Sequence, residues 1–433
     1  MNKPLKFFIV DVFNLSLPII LGQLGQQLIV AGDVYVAAKF STQAAATIGV
    51  ANGFLNPVFL FGIGMTMGVS PSFAFLRGQG LEIRDKGGSI LIYSLLLGLL
   101  VTFFMLGLNY FVPYFGVDSI LVPGIQEYMN IVSWSLPFAL IFGGLKEFLQ
   151  SFEDVVIPNA ISLIAVLVNI LVNYLLVFGY SDFPGLGEIG LAYASLFVRI
   201  LLCLAMIFYT FKKFKFGRVD WQAIKVLVKF SLPIAFMFFL EVLAFCTVTV
   251  LSGQLGVVAA ATNNIIMTIA SVSFMIPLSL SSAAAVKVGH AFGANNTYNI
   301  LSYIKAVIVM VLGFCFFSII AFGFFPGPIL RAVTEDYEVL KLGVSLLFIV
   351  ALFQIVDAFQ VSMSGILRGL GETKFPSLMV FLGYWIIGLP LGVYLTFYLN
   401  QGASGLWVGL AVSLTIVAIS LGIFTNKKMK SLV

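Results

Sequence analysis

Along this chain, long uninterrupted apolar runs alternate with short polar segments, and the pattern persists over the whole length. Each run is near the ~20 residues that carry a helix across a bilayer core. The runs fall roughly at 14–37, 48–74, 88–111, 123–145, 158–179, 189–211, 230–253, 262–286, 303–325, 343–366, 376–398 and 404–425. Strands of an outer-membrane barrel would instead appear as short segments of alternating polarity. The pattern predicts an all-α integral membrane protein with twelve transmembrane helices.

Composition agrees: of 433 residues, 61% are hydrophobic and 9% are charged. Soluble domains carry about 25% charged residues, so the medium around this chain must be largely lipid. The first apolar run follows Lys3 and Lys6 and is too long for a signal-peptide core, so it is expected to be the first span. The even-numbered loops and the two ends hold nineteen lysines and arginines, while the odd-numbered loops hold only Lys39, Arg331 and Lys341. The positive-inside rule then predicts that both termini are cytoplasmic, as in a multi-pass protein of a bacterial inner membrane. That asymmetry also accounts for the net charge of +5 without a nucleic-acid partner. Cys203, Cys246 and Cys315 fall singly inside predicted helices with no C-x-x-C spacing, which indicates neither a disulfide framework nor a zinc site.

The basic stretch 212–229 divides six spans from six. A shift of 215 residues lays Ser16-Leu17-Pro18 on Ser231-Leu232-Pro233, Ala44-Ala45-Ala46 on Ala259-Ala260-Ala261, Gly78 on Gly293 and Gly190-Leu191 on Gly405-Leu406. A shift of 218 pairs Leu149, Asp154 and Pro158 with Leu367, Glu372 and Pro376. Six spans per half return the second half to the membrane in the same orientation, so the repeats are parallel. The expected organisation is an N-terminal six-helix lobe over 1–211, a cytoplasmic linker over 212–229 and a C-terminal six-helix lobe over 230–433. Such repeats around a central cavity suit alternating access.

Three acids fall well inside predicted spans: Asp33, Glu241 and Asp357. Each costs about 2.5–3.5 kcal/mol at mid-membrane, roughly 8–10 kcal/mol for the set, so each is expected to face protein interior or water. Glu241 in span 7 and Asp357 in span 10 lie near the midplane and could face one another. Gln354 and Gln360 flank Asp357 at three-residue spacing, with Ser364 one turn further. A proton or a hard monovalent cation such as sodium would relieve the buried charge, since hard cations prefer oxygen ligands. In the first half, Asp33 shares a helix face with Gln26, and Asn169 and Asn173 share another at i,i+4 spacing. Weighed against these readings, a lone intramembrane acid also serves as a helix–helix hydrogen-bonding residue, and Asn commonly bridges helices in lipid. His290 is expected at a solvated helix end, and Arg199 inside span 6 is expected to pair with an acid or snorkel.

No Gly-rich phosphate loop and no H-E-x-x-H motif occurs, so neither enzyme chemistry nor ATP-driven transport is indicated, and no cofactor is expected. A receptor or intramembrane enzyme has no need of tandem repeats.

The residues that follow carry a family resemblance. Ser231-Leu232-Pro233 through Glu241-Val242, Phe245, Gln254-Leu255-Gly256, Pro277-Leu278, Val288-Gly289 and Gly293-Ala294-Asn295 resemble spans 7 and 8 of the multidrug and toxic compound extrusion (MATE) family. Asp357 with Gln360, Leu367-Arg368-Gly369, Glu372-Thr373, Tyr384-Trp385 and Gly388-Leu389-Pro390 resemble its spans 10 and 11. The resemblance is to the NorM-type branch and covers about 12–425. It implies export of amphiphilic, mostly cationic organic compounds in exchange for Na+ or H+ by a transporter acting as a monomer. It also implies a cation site at Glu241 and Asp357, with Gln354, Gln360 and Tyr384 in support. An N-lobe polar site is implied at Asp33, Gln26, Asn169, Asn173 and Ser195. Asn173 stands where some branches have Asp, and His290 where Gln is more usual. A related architecture serves flippases of lipid-linked oligosaccharide or peptidoglycan precursor, which line their cavity with bases; the predicted membrane interior here holds acids instead.

Overall fold

The computed structural model describes residues 3–180 and 184–431. Among the described residues there is no strand; Lys86 and Phe216 form an isolated bridge. Helices dominate because a bilayer offers no hydrogen-bond partner, so each spanning segment must satisfy its own backbone. We number the spans α1 Leu5–Phe40, α2 Thr42–Gly78, α3 Gly87–Phe115, α4 Val122–Ser133 with Leu136–Ser151, α5 Val156–Phe178, α6 Glu188–Lys213, α7 Trp221–Gln254, α8 Val257–Gly293, α9 Thr297–Phe324, α10 Tyr337–Gly369, α11 Lys374–Tyr398 and α12 Ala403–Lys430.

Eleven of these are single helices long and apolar enough to cross a membrane; the twelfth, α4, is a pair bent by 42°. Its break lies at Trp134-Ser135, where Pro137 opens the second segment. Proline has no backbone N–H and disfavours helix in the residue before it. Side chains at the break compensate: Ser133 Oγ donates to Met129 O and Ser135 Oγ to Val132 O. α11 carries two π-helical stretches, Leu382–Gly388 and Tyr394–Tyr398. Such wide turns are rare and frequently mark functional sites. Between α6 and α7 the basic stretch is mostly helical, and only residues 214–220 lie outside helices. There Asp220 caps α7 by accepting the N–H of Ala223, and Lys86 Nζ lies 3.2 Å from its other oxygen. Both contacts hold the Asp220 carboxyl below the usual carboxylate range, the Ala223 bond most of all.

The chain separates into two compact units. The first comprises Pro18–Phe73 and Leu81–Ala235; the second comprises Met1–Leu17, Ala74–Gly80 and Phe236–Val433. Within the first, α3 packs on the second segment of α4, which also meets α6, and α5 packs on α6. Within the second, α10 packs against α8, α9 and α12. Small residues allow the closest approaches. On α10, Gly365 and Gly369 lie so near the backbone of Ser281 and Ala285 on α8 that a methyl at either would clash, a small-xxx-small contact of the kind that joins helices in lipid. Gly78 and Gly293, paired by the 215-residue shift, meet each other: a methyl on either would strike a backbone oxygen of the other's helix. Large apolar side chains such as Leu100, Phe103, Leu167, Phe317 and Ile423 are exposed, while serines, asparagines and acids are buried. That inversion is stable only when the surrounding medium is hydrocarbon.

Candidate functional site

The buried acids lie in two separate clusters, one in each unit. In the second unit, Glu241 on α7 is 6% exposed and Asp357 on α10 is 4% exposed. They are close enough to repel one another electrostatically. Tyr384, fully buried on the first π-helical stretch of α11, donates from Oη to Glu241 Oε1 at 3.3 Å. The next residue, Trp385, donates from Nε1 to the carbonyl of Leu240 at 3.0 Å. The wide turn thus sets two ring donors against one short piece of α7.

Asp357 Oδ1 is buried without a hydrogen-bond partner, and so are both Gln360 amide atoms one turn along α10. Buried polar atoms are ordinarily satisfied; here two acceptors, Asp357 Oδ1 and Gln360 Oε1, and one donor, Gln360 Nε2, lie unpaired on one helix face. No third acid, histidine or cysteine joins this pair among the described residues. Two carboxylates and an amide oxygen form a donor set for a hard monovalent cation, or for a proton shared by the acids.

The remaining supporting residue behaves differently. Gln354 accepts from Ser273 Oγ at 2.9 Å and donates to the Ala270 carbonyl at 3.2 Å. Its amide is committed to α8, although its spacing suggested a partner for Asp357. Ser364 donates to the carbonyl of Gln360.

Aromatic rings stack outward from Tyr384: Phe245 lies 5.8 Å from it, Phe353 6.1 Å from Phe245, and Trp407 5.5 Å from Phe353, all steeply tilted. Asn263 closes the row by accepting from Trp407 Nε1 at 3.2 Å and donating to Thr249 Oγ1 at 3.3 Å. Sequence reasoning did not single out Phe353, Trp407 or Asn263, since one Phe among 44 in an apolar chain carries no local mark of its neighbours.

In the first unit, Asp33 on α1 is 8% exposed and receives three donors. Asn169 Nδ2 and Asn173 Nδ2 reach Oδ1 at 3.2 and 2.6 Å, and Ser195 Oγ reaches Oδ2 at 3.2 Å. Asn173 also donates to Asn169 Oδ1 at 3.1 Å. The i,i+4 spacing on α5 turns both amides toward α1, and α6 brings Ser195 from the other side. Gln26, two turns earlier on α1, is half-buried and makes no hydrogen bond to this cluster.

Arg199, one turn beyond Ser195, forms no direct ion pair with Asp33, though the two charges interact. Its Nη1 donates to Ser135 Oγ at the α4 break at 2.6 Å, and its guanidinium lies 5.0 Å from the centre of the Phe59 ring. His290 is half-buried and takes part in a contact, so it is not the freely solvated group its position suggested. Cys203, Cys246 and Cys315 are free thiols within α6, α7 and α9.

Comparison with known proteins bears on the whole chain. The family model described as MatE matches residues 18–175 and 233–394. The multidrug resistance protein MdtK of Edwardsiella ictaluri is 28% identical over 431 residues, covering 95% of this chain and 94% of that protein. A NorM relative from Agrobacterium fabrum is 30% identical over 432 residues, covering 94% and 91%. Among solved structures, the crystal structure of the eukaryotic MATE transporter AtDTX14 superposes with a TM-score of 0.88 at 18% identity, covering 99% of this chain and 98% of that one. At that identity the superposition speaks for the fold alone.

Proposed function

The chain belongs to the MatE family of multidrug efflux transporters, and from that premise we propose that it is a cation-coupled antiporter. It exchanges Na+ or H+ for amphiphilic, mostly cationic organic compounds by alternating access. It acts as a monomer with both termini cytoplasmic, and the coupling ion visits Glu241 and Asp357.

The observation that supports this reading is the unmatched chemistry of the second unit. Asp357 Oδ1 and Gln360 Oε1 are buried acceptors with no donor, and Glu241 has only the long Tyr384 bond. Leaving such groups unpaired costs on the order of 1–3 kcal/mol each, more when charged. That cost is sustained in a structure when a ligand removes it during function. A bound cation bridges the carboxylates and offsets their repulsion; its loss restores it. Coupling follows if ion and organic cargo prefer different states, because a ligand that binds both states equally shifts neither. The paired acids Glu241 and Asp357 favour positively charged cargo over a pyrophosphate headgroup.

Glu241→Gln and Asp357→Asn, each reconstituted in vesicles, test the assignment through ion-driven efflux of a cationic dye. Loss of gradient-driven efflux in both variants is the expected result. Full activity in both would end the proposal.

A further inference from the structure

Within the second unit, a groove of about 420 Å³ runs over α10 between α9 and α12, and neither Glu241 nor Asp357 lines it. Phe359 and Met363 form its floor, and Ile304 and Ile308, one turn apart on α9, form one wall. The other wall is α12, lining the groove from Thr415 past Asn426. Those two residues alone lie about 16 Å apart at a helical rise of 1.5 Å per residue. That length matches one leaflet's share of a ~30 Å hydrocarbon core. Ile419 on the rim is exposed, so the groove opens to the surrounding lipid. Gly422 keeps it open: a methyl there would meet nothing within 4 Å.

One end of the groove is polar and basic. Thr425 lines it at 3% exposure, and its hydroxyl has no hydrogen-bond partner. Threonines in helices ordinarily bond a carbonyl one turn back, as Thr415 in the same groove does with Ala411 O at 2.7 Å. Asn426 lines the groove beside Thr425, and Lys430 follows it one turn on, on the same helix face. Odd and even spans run in opposite directions, so the start of α9 lies on the same side as the end of α12. There Lys305, next to Ile304, is exposed, as are Lys427 and Lys430. Neither α9 nor α12 contains an acid.

We propose that this groove binds an anionic phospholipid from the leaflet on the lysine side. One acyl chain lies over Phe359 and Met363, and the phosphate faces Thr425, Asn426 and Lys430. Basic pockets between spans recognise anionic headgroups. The hydroxyl and the amide donate to phosphate and ester oxygens, and the lysines balance the charge. A cationic compound fits poorly, because both walls offer it positive charge and no acid. A second spanning helix fits poorly as well, because the groove is only one leaflet long.

The test photolabels the full chain, purified in detergent, with a phosphatidylglycerol carrying a diazirine in one acyl chain, and maps the labelled peptides by mass spectrometry. Labelling is expected to concentrate on α10 around 359–363 and on α12 around Gly422. A lysine near an anionic surface contributes about fivefold in affinity. Unlabelled phosphatidylglycerol should therefore compete at least about fivefold better than phosphatidylcholine, and Lys430→Gln should reduce that preference about fivefold. Gly422→Leu fills open space without a clash and should abolish labelling in the groove. Labelling spread evenly over exposed apolar positions such as Leu100 and Phe317 would overturn the site. So would equal competition by the two lipids, or competition by tetraphenylphosphonium in place of phosphatidylglycerol, which would make the groove a cargo site. Groove labelling that survives in folded Gly422→Leu overturns it too. Should that variant misfold, Lys430→Gln decides: an unchanged lipid preference ends the assignment.

Discussion

Replacing Tyr384 by Phe removes one hydroxyl and leaves the ring in place against Phe245, 5.8 Å away. The hydroxyl donates to Glu241 Oε1 at 3.3 Å, and both residues are buried. Hydrogen bonds to charged groups contribute about 1.5–3 kcal/mol. This one exceeds the 2.5–3.0 Å range typical of O–H···O bonds, so about 1 kcal/mol is a fair value. The bond stabilises the ion-free carboxylate and competes with a cation for the same oxygen. Its loss should therefore tighten cation binding by about fivefold, since 1.4 kcal/mol corresponds to tenfold. Efflux should slow, because the ion leaves less readily. Trp407 belongs to the same ring cluster and Trp385 adjoins Tyr384, so intrinsic fluorescence during a cation titration reports the site directly. Unchanged or weaker binding in Tyr384→Phe would refute the reasoning, because it would make the hydroxyl a ligand of the cation and not its competitor.

Gly293→Ala sets a gain of about 1 kcal/mol in helix propensity against overpacking worth about 1–3 kcal/mol. The obstacle is a backbone oxygen of Phe75, which cannot rotate away, so the clash wins and thermal unfolding in detergent should occur at lower temperature. Asn173→Leu deletes the shortest bond to Asp33; it should lower stability by about 1.5–3 kcal/mol while cation binding at Glu241 and Asp357 persists. A folded carboxyl held below its usual range stabilises above the unfolded value, and that contribution fades as pH falls through the folded value. Asp220 is such a group, so Asp220→Asn should lower the melting temperature at neutral pH and make no difference at pH values below the folded one.

Much of this molecule is legible in its sequence because lipid is an exacting solvent. Twelve apolar runs had few alternatives to twelve helices, and an acid in oil announces itself whatever its neighbours. Asn169 and Asn173 were readable as one face because helical spacing alone places them together. The break in α4 was not readable: serines occur inside many membrane helices, and a proline such as Pro137 bends some of them and merely opens others. Gln354 misled because spacing along α10 fixes which residues share a face but not what lies opposite. Ser273 and Ala270 on α8 take both ends of its amide, a tertiary fact with no local signature. Arg199 was visible as an anomaly, but its partners Ser135 and Phe59 lie 64 and 140 residues away, beyond any periodicity.

The claim at the centre of this account is that an ion must visit the buried carboxylates in each export cycle. The direct measurement is dye accumulation in vesicles holding the wild-type chain, with a sodium gradient or a pH gradient imposed separately at zero membrane potential. The account predicts that one of these gradients moves a cationic dye against its own concentration difference, and that Glu241→Gln/Asp357→Asn vesicles fail to do so. Dye movement indifferent to both gradients, or equally driven in the double variant, would contradict it.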